Sequence, residues 1–126
     1  MTRQHPIVIP NLRYADAPAA IEFLCRAFGF ERGLVVNDER GGIRHAQLTI
    51  GNSMIMLASA DGEPAASGGC IYVVIDAVDA HHRRAVEAGA EITRPPEDPD
   101  YGGRVYVCLD PEGNQWSFGS YDPWVS

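Results

Sequence analysis

Twice along the chain a β-rich segment leads to a capping aspartate, a helix that stops on a glycine, and three more β-rich segments. This doubling limits the fold more than any other feature. At a period of about 60 residues and with only two copies, it is too long and too few for a solenoid, and it predicts two copies of one strand–helix–strands unit.

In the first copy an apolar run over 7–12 predicts a strand, Asp16 offers an N-cap, and Pro18 lies in the first helical turn. Ala20, Ile21, Leu24, Cys25 and Phe28 recur at helical spacing and Gly29 follows as a stop, so the pattern predicts a helix over 17–28. Strands over 33–37, 43–50 and 53–58 follow, the last two joined through Gly51-Asn52 as a tight hairpin. The stretch 59–69, rich in Ala, Gly and Ser, reads as a linker.

The second copy predicts a strand over 70–75, Asp79 as N-cap, and a short helix over 80–88 with Val78, His82, Ala85 and Val86 inward and Gly89 as its stop. Strands over 90–93, 104–109 and 115–119 complete it. The last two flank Asp110-Pro111-Glu112-Gly113-Asn114, a reversing turn by its Pro and Gly. The segment 95–103, with Pro95, Pro96, Pro99 and Tyr101, reads as a loop. The fold class is therefore α+β: one domain over 1–126, with module one at about 5–58 and module two at about 70–121, each βαβββ. Paired, the two sheets would form one curved mixed sheet with helices on the convex side and a trough on the other.

Composition excludes several function classes. A net charge of −7 with scattered Arg leaves nothing to neutralise a phosphate backbone, so nucleic acid is not an expected partner. No run approaches the roughly 20 apolar residues that span a bilayer, and the first residues lack the apolar core of a secretory signal. Neither membrane association nor export is expected, and the reading is a cytoplasmic protein. Cys25, Cys70 and Cys108 are far apart and lack Cys-x-x-Cys spacing, so they read as buried free thiols. Phosphate-binding glycine loops, nucleophile elbows and His-Glu-x-x-His are absent from the sequence.

Strand alternation sorts the remaining candidates. If Ala46, Leu48 and Ile50 pack under a helix, His45, Gln47 and Thr49 face the other way; if Trp116 and Phe118 pack, Gln115 and Ser117 do not. For Met54 and Met56 against Ile55 and Leu57, composition leaves the choice of face open. His45 is the candidate acid or base, since imidazole exchanges a proton near neutral pH. His81 and His82 are adjacent on a helix, about 100° apart, and read as solvated or half-buried rather than as a metal clamp. Met54, Met56, Trp116, Tyr121 and Trp124 are candidates for a soft wall against a planar ligand.

Leu12-Arg13-Tyr14-Ala15-Asp16, Ile21-Glu22-Phe23-Leu24, Phe28-Gly29-Phe30 and Asp110 through Trp116 together resemble the vicinal oxygen chelate superfamily. It includes glyoxalase I, extradiol dioxygenases, fosfomycin-resistance transferases and bleomycin-resistance proteins. The resemblance covers nearly the whole chain. It implies metal-ligand positions at Ile9, Cys70, Ser117 and at or near Met56, residue types that make a poor site for a hard or borderline divalent ion. By the same resemblance Met54, Met56 and Val107 face the cavity, and the chain forms a homodimer whose second subunit completes the trough.

These readings converge on a small-molecule binding protein of the bleomycin-resistance type, with no metal and no cofactor, whose ligand meets His45, Gln47, Met54, Met56, Cys70, Val107 and Ser117. The alternative is a lyase, isomerase or transferase. It would either be metal-independent, with His45 as acid or base or Cys70 as nucleophile, or use metal ligands the pattern does not reveal.

Overall fold

The computed structural model describes residues 5–60 and 69–125. The chain divides into two compact units, Met1–Ala66 and Ser67–Ser126. The first contains β1 (Asn11–Tyr14), α1 (Ala17–Phe28), β2 (Glu31–Asn37), β3 (Ile43–Ile50) and β4 (Ser53–Ser59). The second contains β5 (Cys70–Val74), α2 (Val78–Glu87), β6 (Glu91–Glu97), β7 (Val105–Leu109) and β8 (Gln115–Gly119). The fold is α+β with two tandem βαβββ modules. Their sheets have the same order, β1-β4-β3-β2 and β5-β8-β7-β6, with the first strand parallel to the last and the other pairs antiparallel.

Helix α1 forms where its local signals place it. The Asp16 carboxylate accepts from the Ala19 amide at 3.1 Å, which satisfies one orphan donor, and Gly29 ends the helix at φ 84°, where a Cβ would be strained. Its buried stripe, Ala17, Ala20, Ile21, Phe23, Leu24, Ala27 and Phe28, covers the sheet face formed by Ala46, Leu48, Ile55 and Leu57. Each large side chain among these gains about 1.5–3 kcal/mol from burial. The stripe is wider than the periodicity predicts, for Phe23 and Ala27 are inside while Cys25 is only half-buried. In the second unit α2 packs against β6 and β7, and Tyr106, Cys108, Trp116 and Phe118 on the inner face of β7 and β8 are all fully buried.

Several expectations are corrected. The first strand is Asn11–Tyr14 rather than 7–12, with Ile7 and Val8 exposed. Pro10 has no amide to donate and joins only as an acceptor, from the Met56 amide at 2.8 Å. Helix α2 starts before Asp79, its N-cap is Ala77 with no side-chain cap, and Asp79 instead pairs with Arg104. Val86 is exposed, because only a narrow stripe led by Val78 and Ala85 meets the sheet. Pro95 and Pro96, expected in a loop, belong to β6, an edge strand with register shifts, where proline removes no ladder bond the sheet needs. Cys70 is exposed rather than buried. Most of the 59–69 linker, residues 61–68, lies outside the described residues. No helix among the described residues is long and apolar enough to cross a membrane.

Candidate functional site

Register decides which side chains share a face. In the first unit Ile55 and Leu57 are buried, so Met54 and Met56 take the face away from α1. Asn11, Met56 and Gln47 form one row across β1, β4 and β3, and Met54 pairs with Thr49 beside it. His45, on the same face, pairs with Val36. His45, Gln47, Met54 and Met56 are thus brought to one sheet face, all half-buried.

Within this face a side-chain hydrogen bond joins Gln47 Nε2 to His45 Nε2 at 3.0 Å. A carboxamide nitrogen can only donate, so the ring nitrogen accepts and the imidazole proton sits on Nδ1. The pair then presents an Nδ1–H donor and the Gln47 Oε1 acceptor. That pairing suits a ligand with complementary oxygen and N–H or O–H groups.

In the second unit the helix-free face has three rows: Cys70, Gln115, Leu109 and Glu91; Tyr72, Ser117, Val107 and Arg94; Val74, Gly119, Val105 and Glu97. Cys70, Val107 and Ser117 therefore share this face. Tyr72, between Cys70 and Val74, belongs to it as well and is absent from the sequence-based set, although the period of two in β5 carries the signal. Cys70, Tyr72 and Val74 are exposed.

The opposite face is structural. Trp116, a candidate for the ligand wall, is fully buried and its indole N–H donates to Asp110 at 3.1 Å. Asp110 also accepts from the backbone amides of Glu112 (3.0 Å) and Asn114 (3.1 Å) and from the Asn114 carboxamide, so it organises the turn between β7 and β8. His81 is half-buried, with Nδ1 2.6 Å from the Tyr106 hydroxyl and its ring 4.3 Å from that of Phe118. Burial pushes the Tyr106 phenol well up, and pushes the Cys108 thiol up to about 12, with the nearby Asp110 adding to it.

No three His, Cys, Asp or Glu side chains among the described residues are grouped so as to hold a metal ion. The positions implied as ligands carry Ile9 and Met56 in the first unit and Cys70 and Ser117 in the second. Cys70 stands opposite Gln115 and Ser117 opposite Tyr72, one row apart. An alkyl group cannot coordinate, and a thioether, thiol and hydroxyl suit no divalent ion that prefers imidazole and carboxylate. This donor set does not fit the metal.

A family model described as the Glyoxalase/Bleomycin resistance protein/Dioxygenase superfamily matches residues 3–118. The uncharacterized protein Mb0911c of Mycobacterium bovis is 34% identical over 128 residues, spanning 90% of this chain and 82% of that protein. The crystal structure of TioX from Micromonospora sp. ML1 superposes with a TM-score of 0.77 at 35% identity, covering 93% of this chain and 98% of that one. The fosfomycin resistance protein FosX from Mesorhizobium loti, at 14% identity and a TM-score of 0.73, covers 97% of this chain and 96% of its own, and shares the fold.

Proposed function

Because the chain belongs to the glyoxalase/bleomycin resistance protein/dioxygenase superfamily, we propose that it is a metal-free, cytoplasmic small-molecule binding protein that sequesters an antibiotic or metabolite. The observation that carries this reading is the chemistry of the helix-free faces. The first carries the soft side chains of Met54 and Met56 with the hydrogen-bonded His45–Gln47 pair, the second carries Val107, and the implied metal positions hold residue types that make a poor ligand set. Thioethers adapt to irregular ligand surfaces, while the imidazole and carboxamide fix orientation. We assign Cys70 and Ser117, on the helix-free face of the second unit, to ligand contact as well, and the protein to a homodimer whose second subunit completes the ligand surface.

Thermal shift against a panel of planar and cationic antibiotics tests the reading. A binder present at about 100 times its Kd stabilises by roughly 2.7 kcal/mol, a shift of several degrees. A panel without any stabilising compound speaks against sequestration, and stoichiometric Zn, Ni, Mn or Fe in the purified protein overturns the metal-free assignment.

A second reading, a metal-independent lyase, isomerase or transferase, draws on the same His45–Gln47 contact, because a positioned imidazole is what acid–base catalysis needs. A His45→Ala variant separates the two. Loss of turnover with retained affinity supports the enzyme, and unchanged turnover removes His45 from that role.

A further inference from the structure

Where β5 and β8 end, the second unit gathers aromatic rings that its core does not use. Tyr72 and Tyr121 are each 38% exposed and Tyr101 is 59% exposed. The Tyr101 ring stands edge-on to that of Tyr121, centroids 5.1 Å apart and planes at 79°. The Tyr72 hydroxyl donates to the Tyr121 carbonyl at 2.6 Å, which ties the third ring to the other two.

Two glycines make room for this group. A Cβ on Gly119 would lie 2.7 Å from the Tyr72 hydroxyl, and a Cβ on Gly103, at φ +73°, would lie 2.7 Å from the Tyr121 amide nitrogen. A side chain at Gly119 would displace the Tyr72 ring, and one at Gly103 would displace the Tyr121 backbone. The cluster is therefore held in place by backbone it contacts directly.

The charge beside the rings is negative. Asp122 follows Tyr121, and its Oδ1 accepts from the Trp124 amide at 2.9 Å, leaving Oδ2 for another partner. The Tyr72 phenol is raised by desolvation first and then by Tyr101, Asp122 and Tyr121, which places those groups within electrostatic reach of one another. Arg104, the basic side chain nearest in sequence, is occupied by Asp79 at 3.0 Å and Asp98 at 2.9 Å. Aromatic faces are the negative pole of the ring quadrupole, so three tyrosines with a carboxylate attract a soft cation and repel an anion. A hard metal ion would need several more oxygens than this group offers.

We propose that Tyr72, Tyr101, Tyr121 and Asp122 form a recognition site for an organic cation, an alkyl- or arylammonium group. It rests on the assignment of the second helix-free face as a ligand surface, of which Tyr72 is part. It adds the ligand's chemical class, an apolar or planar body carrying a quaternary or substituted ammonium.

The test uses choline and 3,3-dimethylbutan-1-ol, its uncharged counterpart of nearly the same shape, titrated into the full-length protein while the tyrosine ring resonances are followed by NMR. Choline is expected to shift the rings of Tyr72, Tyr101 and Tyr121, and to bind about two- to fivefold more tightly than the alcohol, the ratio that one exposed cation–π contact supplies. Tyr101→Leu, on an exposed loop, and Asp122→Asn, which keeps the shape, should each weaken choline by about three- to fivefold. Equal binding of both probes, insensitivity to both variants, or no shift up to roughly 100 mM choline, where a Kd of that order would half-fill the site, overturns the proposal. If choline fails while another compound of the thermal-shift panel stabilises the protein, the cation site alone falls. If choline and the whole panel fail, the ligand-surface reading falls with it.

Discussion

Asp110 is the buried charged side chain in the described core, 4% exposed, and it is fully engaged by two backbone amides, a carboxamide and an indole N–H. Removing a carboxylate in that setting leaves buried donors without a partner, so Asp110→Ala is expected to cost about 3 kcal/mol in urea unfolding and Asp110→Asn clearly less. At His45 the prediction concerns a proton. The wild-type ring should show the Nδ1–H tautomer in nitrogen-15 spectra, and Gln47→Leu should abolish that preference with little change in stability, since the pair is only half-buried. A resting Nε2–H tautomer in the wild type would show that the amide does not donate to the ring. Among the cysteines, exposed Cys70 should react with a thiol reagent in the native state, whereas buried Cys108 should react only on unfolding.

The two helices differ in how they begin. Helix α1 has a side-chain cap from Asp16, and α2 has none, its N-cap being Ala77. Asp16→Ala should therefore cost about 1 kcal/mol, and Ala77→Ser should add roughly 0.5–1 kcal/mol by supplying the missing acceptor, both read from denaturant midpoints at unchanged slope. Failure of Ala77→Ser to stabilise would mean that the helix start at φ −93°, ψ 80° cannot present the hydroxyl to the amides. Strand β6 makes the complementary point about edges, because its Pro95 and Pro96 are tolerated on an outer strand broken by two register shifts.

Across the whole molecule, two buried acids, Cys108 and Tyr106, make stability fall at alkaline pH. The Cys108 thiol is raised from 9.0 to about 12, and the Tyr106 phenol is raised as well, both chiefly by desolvation. A raised folded-state value means that above pH 9 the unfolded chain loses protons the native state keeps, so stability present below pH 9 is lost as pH rises towards 12. At about 1.4 kcal/mol per unit, Cys108 alone accounts for up to ~4 kcal/mol of that loss. The melting temperature should fall steadily from pH 9 to 11.5, and Cys108→Ala should fall less steeply over the same range. A flat profile in the wild type would contradict this assignment. Sedimentation equilibrium measures the proposed homodimer directly, with twice the 13.7 kDa chain mass expected.

What the sequence alone determined is what local chemistry and periodicity control. Asp16, the 3.6-residue stripe and Gly29 place α1 at its observed bounds, and alternation sends Ala46, Leu48, Trp116 and Phe118 to the core. It also brings His45 and Gln47 to the other face of β3. Elsewhere local signals were silent or overruled. Met54 and Met56 alternate with side chains just as apolar, so only the pairing of β4 with β1 and β3, which commits Ile55 and Leu57 to the helix side, could orient them. Asp79 reads as a cap in isolation but is drawn to Arg104, 25 residues away along the chain. The Tyr72–Tyr121 bond spans 49 residues, and its space depends on what surrounds Gly119. Short-range order follows from each residue's own conformational preferences. Which polar and aromatic groups meet is decided by contacts between distant segments, and no local pattern encodes them.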